Sequence, residues 1–215
     1  MKNCFAIIII SSFIISCTTN EEKQNFEGIL ESKVTYTSKI DSLSATDLFG
    51  QSSAKDVTFI KDGFFKVTSS TDFMSMMLWR HLDTTLYYFN KSSGDTLWFD
   101  RTNSHPGSIV EHQIIRNADT ILNYVCDALV MINDKDKVLT YYYSPELSLN
   151  PEFYLNATNS AKYEVMKLIK SVTLRIKIES SYGIVDSEAV KITHKKLDDK
   201  LFDLPTHSVL KKSTY

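Results

Sequence analysis

The stretch VTLRIKIESSYGIVDSEAVKITHK, residues 172–195, sets the period on which the chain is built. Val172, Leu174, Ile176 and Ile178 alternate with Thr173, Arg175, Lys177 and Glu179. Successive side chains of a strand point to opposite faces, so this pattern describes a strand with one dry and one wet face. Tyr182-Gly183 turns the chain, after which Val190, Ile192 and His194 alternate with Lys191, Thr193 and Lys195. The pair predicts an antiparallel hairpin with Leu174 and Ile176 buried and with Arg175 and Lys177 in solvent.

The same period recurs upstream. Residues 26–38 place Phe26, Leu30, Val34 and Tyr36 on one parity and Glu31, Lys33, Thr35 and Thr37 on the other. Residues 57–68 hold Asp62-Gly63 between two alternating runs, and a tight type I′ turn wants positive φ at both central positions. Residues 86–90 and 96–99 flank Lys91-Ser-Ser-Gly94 as a second hairpin. Further strands are predicted at 108–116, 120–132 and 137–143, with a turn at 133–136 and with Pro145 and Pro151 ending strand pairing. Residues 37–54 are polar and predict a loop, with a turn of helix near residues 47–49. Between residues 160 and 171 the period changes. Val165, Leu168, Ile169 and Val172 stand at i, i+3, i+4 and i+7, one stripe of a helix that Asn159 or Ser160 would cap. A closing Leu201-Phe-Asp-Leu-Pro205 and a basic, polar tail follow. The fold class predicted is mainly β (α+β): a strongly curved antiparallel sheet or incomplete β-barrel of about nine to eleven strands with one late covering helix.

The N-terminus reads differently. Lys2 precedes an apolar run, residues 5–15, that Ser11 and Ser12 interrupt. A membrane-spanning helix needs about 20 apolar residues, whereas the apolar core of a secretory signal needs only ~7–15. Ile14-Ile15-Ser16-Cys17 then resembles the lipobox of bacterial lipoproteins. That resemblance implies that residues 1–16 are a signal peptide, that the chain is cut before Cys17, and that Cys17 is lipidated. Two or more acyl chains hold a protein firmly to a bilayer where one does not. The competing readings are a signal that happens to contain a cysteine and an uncleaved anchor. Residues 17–25 become the lipidated cysteine and a polar tether, and residues 26–215 a single β-rich domain. Glu21-Glu22 weakly resembles the signals that carry some lipoproteins to the cell surface; its other reading is a solvated linker. The location expected is the bacterial cell envelope, as an outer-membrane lipoprotein on the periplasmic side rather than the surface.

Four features in order resemble a known family: the lipobox; the opening Phe26-Glu-Gly-Ile-Leu-Glu-Ser-Lys-Val-Thr-Tyr36; the central Asp119-Thr-Ile-Leu-Asn-Tyr-Val-Cys126 followed by an apolar strand and Tyr141-Tyr-Tyr-Ser-Pro145; and the closing Phe202-Asp-Leu-Pro205. Together they look like small bacterial outer-membrane lipoproteins related to the LolA/LolB lipoprotein-sorting superfamily. The resemblance implies an incomplete, strongly curved antiparallel barrel. Its concave apolar face would be covered by helix and, in the sorting proteins, receives lipid acyl chains.

No catalytic signature accompanies this. The formal net charge of −2 gives no basic footprint for nucleic acid. Of the three cysteines, Cys4 leaves with the signal and Cys17 carries lipid. Cys126, alone in an apolar stretch, is expected to be a buried small hydrophobe. The five histidines, His81, His105, His112, His194 and His207, form no H-E-x-x-H motif and no i, i+4 pair. There is no G-x-S-x-G and no phosphate-binding glycine loop. Asp198-Asp199 reads as a solvated turn. The expectation is a protein that is not an enzyme and that needs no cofactor or metal. Met74, Met76, Met77 and Trp79 are the candidate ligand-binding residues, because methionine adapts to varied apolar partners; the competing reading makes them core. Two functional classes follow: a non-catalytic module that binds a lipid or other apolar ligand, or a structural or protein-interaction lipoprotein with a filled core. They differ in whether the concave face holds an open apolar cavity of about 300 Å³ or more.

Overall fold

Period-two patterning becomes strand along most of the chain. The strands are β1 Gly28–Ser38, β2 Ser53–Lys61, β3 Phe64–Ser69, β4 Met76–Arg80, β5 Thr85–Phe89, β6 Thr96–Arg101, β7 Ile109–Ile121, β8 Tyr124–Asn133, β9 Val138–Ser148, β10 Ser171–Glu179, β11 Gly183–His194 and β12 Val209–Lys212. A computed structural model describes residues 24–72, 74–101, 109–133, 137–157, 161–206 and 209–213. The leader, Cys17 and the tether as far as residue 23 lie outside the described residues, as do His105, His207, Asn159 and Ser160.

The twelve strands of the described residues join one curved sheet in the order β12-β6-β5-β4-β3-β2-β1-β11-β10-β9-β8-β7. The sheet is open, with β12 and β7 at its edges, so it is an incomplete barrel. Residues 73–79, whose pattern alone fits either a strand or a short amphipathic helix, become strand from Met76 onward as β4, with Phe73 outside the described residues. The count exceeds the expected nine to eleven because the basic tail supplies β12, which pairs with β6 in parallel. The sheet is therefore antiparallel except at that edge.

Local chemistry explains most of the turns. Asp62 and Gly63 have φ of 42° and 80°, the left-handed pair that a tight hairpin between right-twisted strands requires. A Cβ on Gly63 would come within 2.5 Å of the Phe153 side chain, so glycine there also permits close packing against a short 3-10 turn, Pro151–Tyr154. The helix α1, Ala45–Phe49, begins with a reciprocal capping box between Ser44 and Asp47 and ends on Gly50 at φ 75°.

Three boundaries differ from the sequence reading. The break expected at residues 117–119 is an irregularity inside β7, where the register shifts between Ile115 and Asp119 and Asn117 takes φ 50°. The chain instead reverses at Leu122-Asn123, with φ of 51° and 67°; an apolar first residue hides that turn from composition. Pro145 does not end its strand, because β9 continues to Ser148, and Pro145 falls where the β9–β10 register slips between Ser171 and Thr173. The late helix is α2, Lys162–Ile169, with Val165, Met166 and Ile169 buried. Val172, read both on that stripe and as the first apolar residue of the strand that follows, belongs to β10, because Lys170 takes the left-handed conformation and ends the helix.

Two cores result, one on each face. On the inner face Ile60, Phe65, Trp79 and Leu86 sit opposite one another across β2 to β5, and α2 closes over them with Tyr154, Leu174 and Leu129 in the same cluster. On the outer face Leu78 and Tyr87 are buried beneath Leu197 and Phe202, which come from the C-terminal segment. The 3-10 turn Asp199–Phe202 anchors that cover. Lys61 donates to the Leu197 carbonyl and Lys66 to the Leu201 carbonyl.

Candidate ligand-binding cavity

Curvature brings distant strands to one place. Side chains from β1 to β5 converge with β10, β11, α2 and residues 149–157 on a cavity of about 330 Å³. Its walls are mostly apolar: Leu30, Ile60, Val67, Leu86, Val172 and Ile176 contribute, with Ser32, Thr58 and Ser187 as small polar breaks. A larger depression of about 840 Å³ lies beside Gln24, Asn25 and Glu27, but polar side chains and loop backbone form much of it. Ligand cavities are mainly apolar with a few placed polar groups, which singles out the former.

Register decides where the candidate residues point. Met77 pairs with Val67, and Trp79 with Phe65, so both face inward and line the cavity. Met76 has the opposite parity and packs in the outer core with Leu78. Met74 lies in the turn before β4, partly exposed, and its carbonyl accepts a hydrogen bond from the Thr71 hydroxyl at 3.4 Å. Met74 lines an adjoining groove of about 540 Å³ with Tyr36, Phe49 and Asp56. Val67 and Met77 belong to the walls of both. The structure thus brings Met77 and Trp79 together, sends Met76 to the other side of the sheet, and leaves Met74 at the neighbouring groove.

The cavity also holds groups that the sequence reading missed. Phe65 and Tyr154 stack at 6.5 Å with their planes 26° apart. Lys162, in the first turn of α2, places Nζ 5.6 Å from the Phe65 ring centroid and 5.7 Å from that of Tyr154. Burial lowers its pKa from 10.5 to about 8, with no acidic neighbour to oppose the shift. Burial likewise pushes the Tyr154 hydroxyl well above its ordinary value, so it stays neutral. Trp79 Nε1 is buried and has no hydrogen-bond partner among the described residues, an uncommon state for an indole N–H. Parity could have found Phe65, since Ile60 and Phe65 flank the Asp62-Gly63 turn symmetrically. Nothing in the sequence marks Lys162, because only the packing of α2 on β3 gives it aromatic neighbours.

No family model and no curated protein matches this chain. Among solved structures, the crystal structure of a LolA superfamily protein from Nitrosomonas europaea is similar to it over 84% of this chain and 91% of that one. The TM-score is 0.39 and the sequence identity 10%.

Cys126, His81 and His194 lie outside the cavity lining. Cys126 is fully buried; its thiol donates to the Tyr124 carbonyl at 3.3 Å, and burial raises its pKa, which keeps it protonated and unreactive. His81 packs against the Phe64 and Phe153 rings, and burial lowers its pKa. His194 contacts the Tyr124 hydroxyl at 3.1 Å. Among the described residues no three His, Cys, Asp or Glu side chains come together as a metal site, and no helix is long and apolar enough to cross a membrane.

Proposed function

We propose that this chain is a lipid-anchored protein of the bacterial envelope whose domain is a non-catalytic binding module for an acyl chain or similar apolar ligand. The observation that carries the reading is the apolar cavity of about 330 Å³ on the inner face of an open, curved sheet. That volume lies at the small end of the range for ligand sites, roughly 300–1,000 Å³, and suits one slender chain better than a bulky ring system. Met77 and Trp79 are its proposed ligand contacts, with Met74 at the adjoining groove. The sequence resemblance to the lipoprotein-sorting superfamily points the same way.

Two measurements test it. A fluorescent fatty acid is expected to bind at micromolar concentration, about 8 kcal/mol of binding free energy. Met77→Asp should weaken that binding severalfold and leave the melting temperature within a few degrees. Met76→Asp should instead unfold the outer core. A protein that takes up no fatty acid would turn the reading to the structural lipoprotein. For the anchor, Cys17→Ser is expected to block processing and release the chain from membranes. Retention of that variant at wild-type levels would remove the lipoprotein assignment.

A further inference from the structure

The cavity is not uniformly apolar, and the two charged residues of its lining, Lys162 and Arg175, are both cations. Lys162 belongs to its lining, and two aromatic faces flank its ammonium rather than a carboxylate. Aromatic faces attract a cation, but by only about 1–2 kcal/mol, while a desolvated ammonium without a counter-ion carries a cost of several kcal/mol. Every other charged group near that corner is engaged or faces elsewhere. Arg175 is held in a fork by Asp186 at 2.9 and 2.6 Å, with Asp119 and Glu188 within 3.5 Å. Glu164 pairs with Lys167 on the exposed side of α2. On β3, Lys66 reaches away to the Leu201 carbonyl. Glu152, beside Tyr154, is exposed. Asp56 lies in the adjoining groove past Val67 and Met77. Residues 158–160, outside the described residues, are Thr, Asn and Ser, and carry no charge.

We infer that the cavity takes a single-chain amphiphile with an anionic head, and that Lys162 is the residue that binds the head while the apolar walls hold the chain. This rests on the acyl-binding reading and adds a ligand class to it. The geometry supplies both halves: an apolar slot that Met77, Trp79 and Leu86 border, and at its α2 side one cation that lacks an acid partner among the described residues. The Trp79 N–H, on the strand paired with Phe65, is also buried without an acceptor among the described residues. A carboxylate or phosphate entering there exchanges the lost hydration of the ammonium for a charge-assisted hydrogen bond.

The test uses the chain kept soluble in a non-ionic amphipathic polymer, with matched twelve-carbon probes: laurate, dodecyl phosphate and neutral methyl laurate. Each displaces a fluorescent fatty acid. The wild-type chain should bind at least one of the two anions about tenfold or more tighter than the ester, the scale of a charge-assisted contact. The parallel anion arms tell a carboxylate head from a phosphate head. Lys162→Met should bring the anions down to the level of the ester without weakening the ester, and Lys162→Arg should keep the preference. Burial lowers the pKa of the ammonium to about 8, and a bound anion raises it. The preference should therefore hold at pH 7 and fade as pH climbs beyond 8. Without ligand, Lys162→Met should melt higher than wild type at pH 7, because it removes a cation that folding desolvates. Equal binding of anions and ester by the wild-type chain, or a Lys162→Met variant that weakens all three probes alike, overturns the role of Lys162 and leaves acyl binding standing. Failure of all three probes to bind overturns both.

Discussion

Leu174→Ala is expected to lower folding stability by about 2–5 kcal/mol, the span for truncating a buried leucine. Leu174 is 2% exposed and belongs to the inner core that α2 closes. It also borders the cavity, so the void left behind merges with existing open space instead of collapsing, which argues for the upper half of that range. Its neighbour gives the control. Alternation alone makes Arg175→Ala nearly silent, because the arginine faces water. The structure corrects this. Arg175 is only a quarter exposed, forks onto Asp186, and lies 5.4 Å from the Tyr142 ring centroid. Its loss leaves Asp119, Asp186 and Glu188 facing one another without a cation. Partial solvent exposure holds the expected cost to about 1 kcal/mol. Urea unfolding of the two variants measures both. Equal losses would mean that the register of β10 is wrong.

Phe202→Ala is expected to cost about 3–5 kcal/mol through the other face of the sheet. Phe202 is 4% exposed and stands 5.4 Å from the Phe64 ring. With Leu197 it covers Met76, Leu78, Tyr87 and Leu97, of which Leu78 and Leu97 have no exposure at all. Lys61 fastens the same segment, with its ammonium 2.6 Å from Asp199 and donating to the Leu197 carbonyl. Thermal melting reads the loss. Fatty-acid uptake by the variant that remains folded should be unchanged, since the inner face is untouched. A drop below about 0.5 kcal/mol, the level of a surface substitution, would show that the C-terminal segment merely rests on the sheet.

Much of the architecture was written in local pattern. The alternation in residues 172–178, the Asp62-Gly63 turn and the 3.6-residue stripe around Val165 each name their element, because period and turn dihedrals are properties of a few consecutive residues. What pattern could not supply is which side of an element meets which partner. Residues 76–79 are Met-Met-Leu-Trp, apolar at every position, so no alternation distinguishes the cavity residues Met77 and Trp79 from the outer-core residues Met76 and Leu78. Both faces of that half of the sheet are dry, one under α2 and one under a segment about 120 residues later in the chain.

The same reason governs Lys162. By sequence it is a cation at a helix start, of the kind that water usually solvates. Only the docking of α2 over β3 sets its ammonium between Phe65 and Tyr154, residues separated by most of a hundred positions. The sequence by itself determined strands, hairpins, the late helix and the absence of a catalytic motif, since each is a matter of neighbours along the chain. The curvature of the sheet, the parallel docking of β12, the cavity and the charge at its edge were decided by tertiary structure, because burial and desolvation depend on what packs across space.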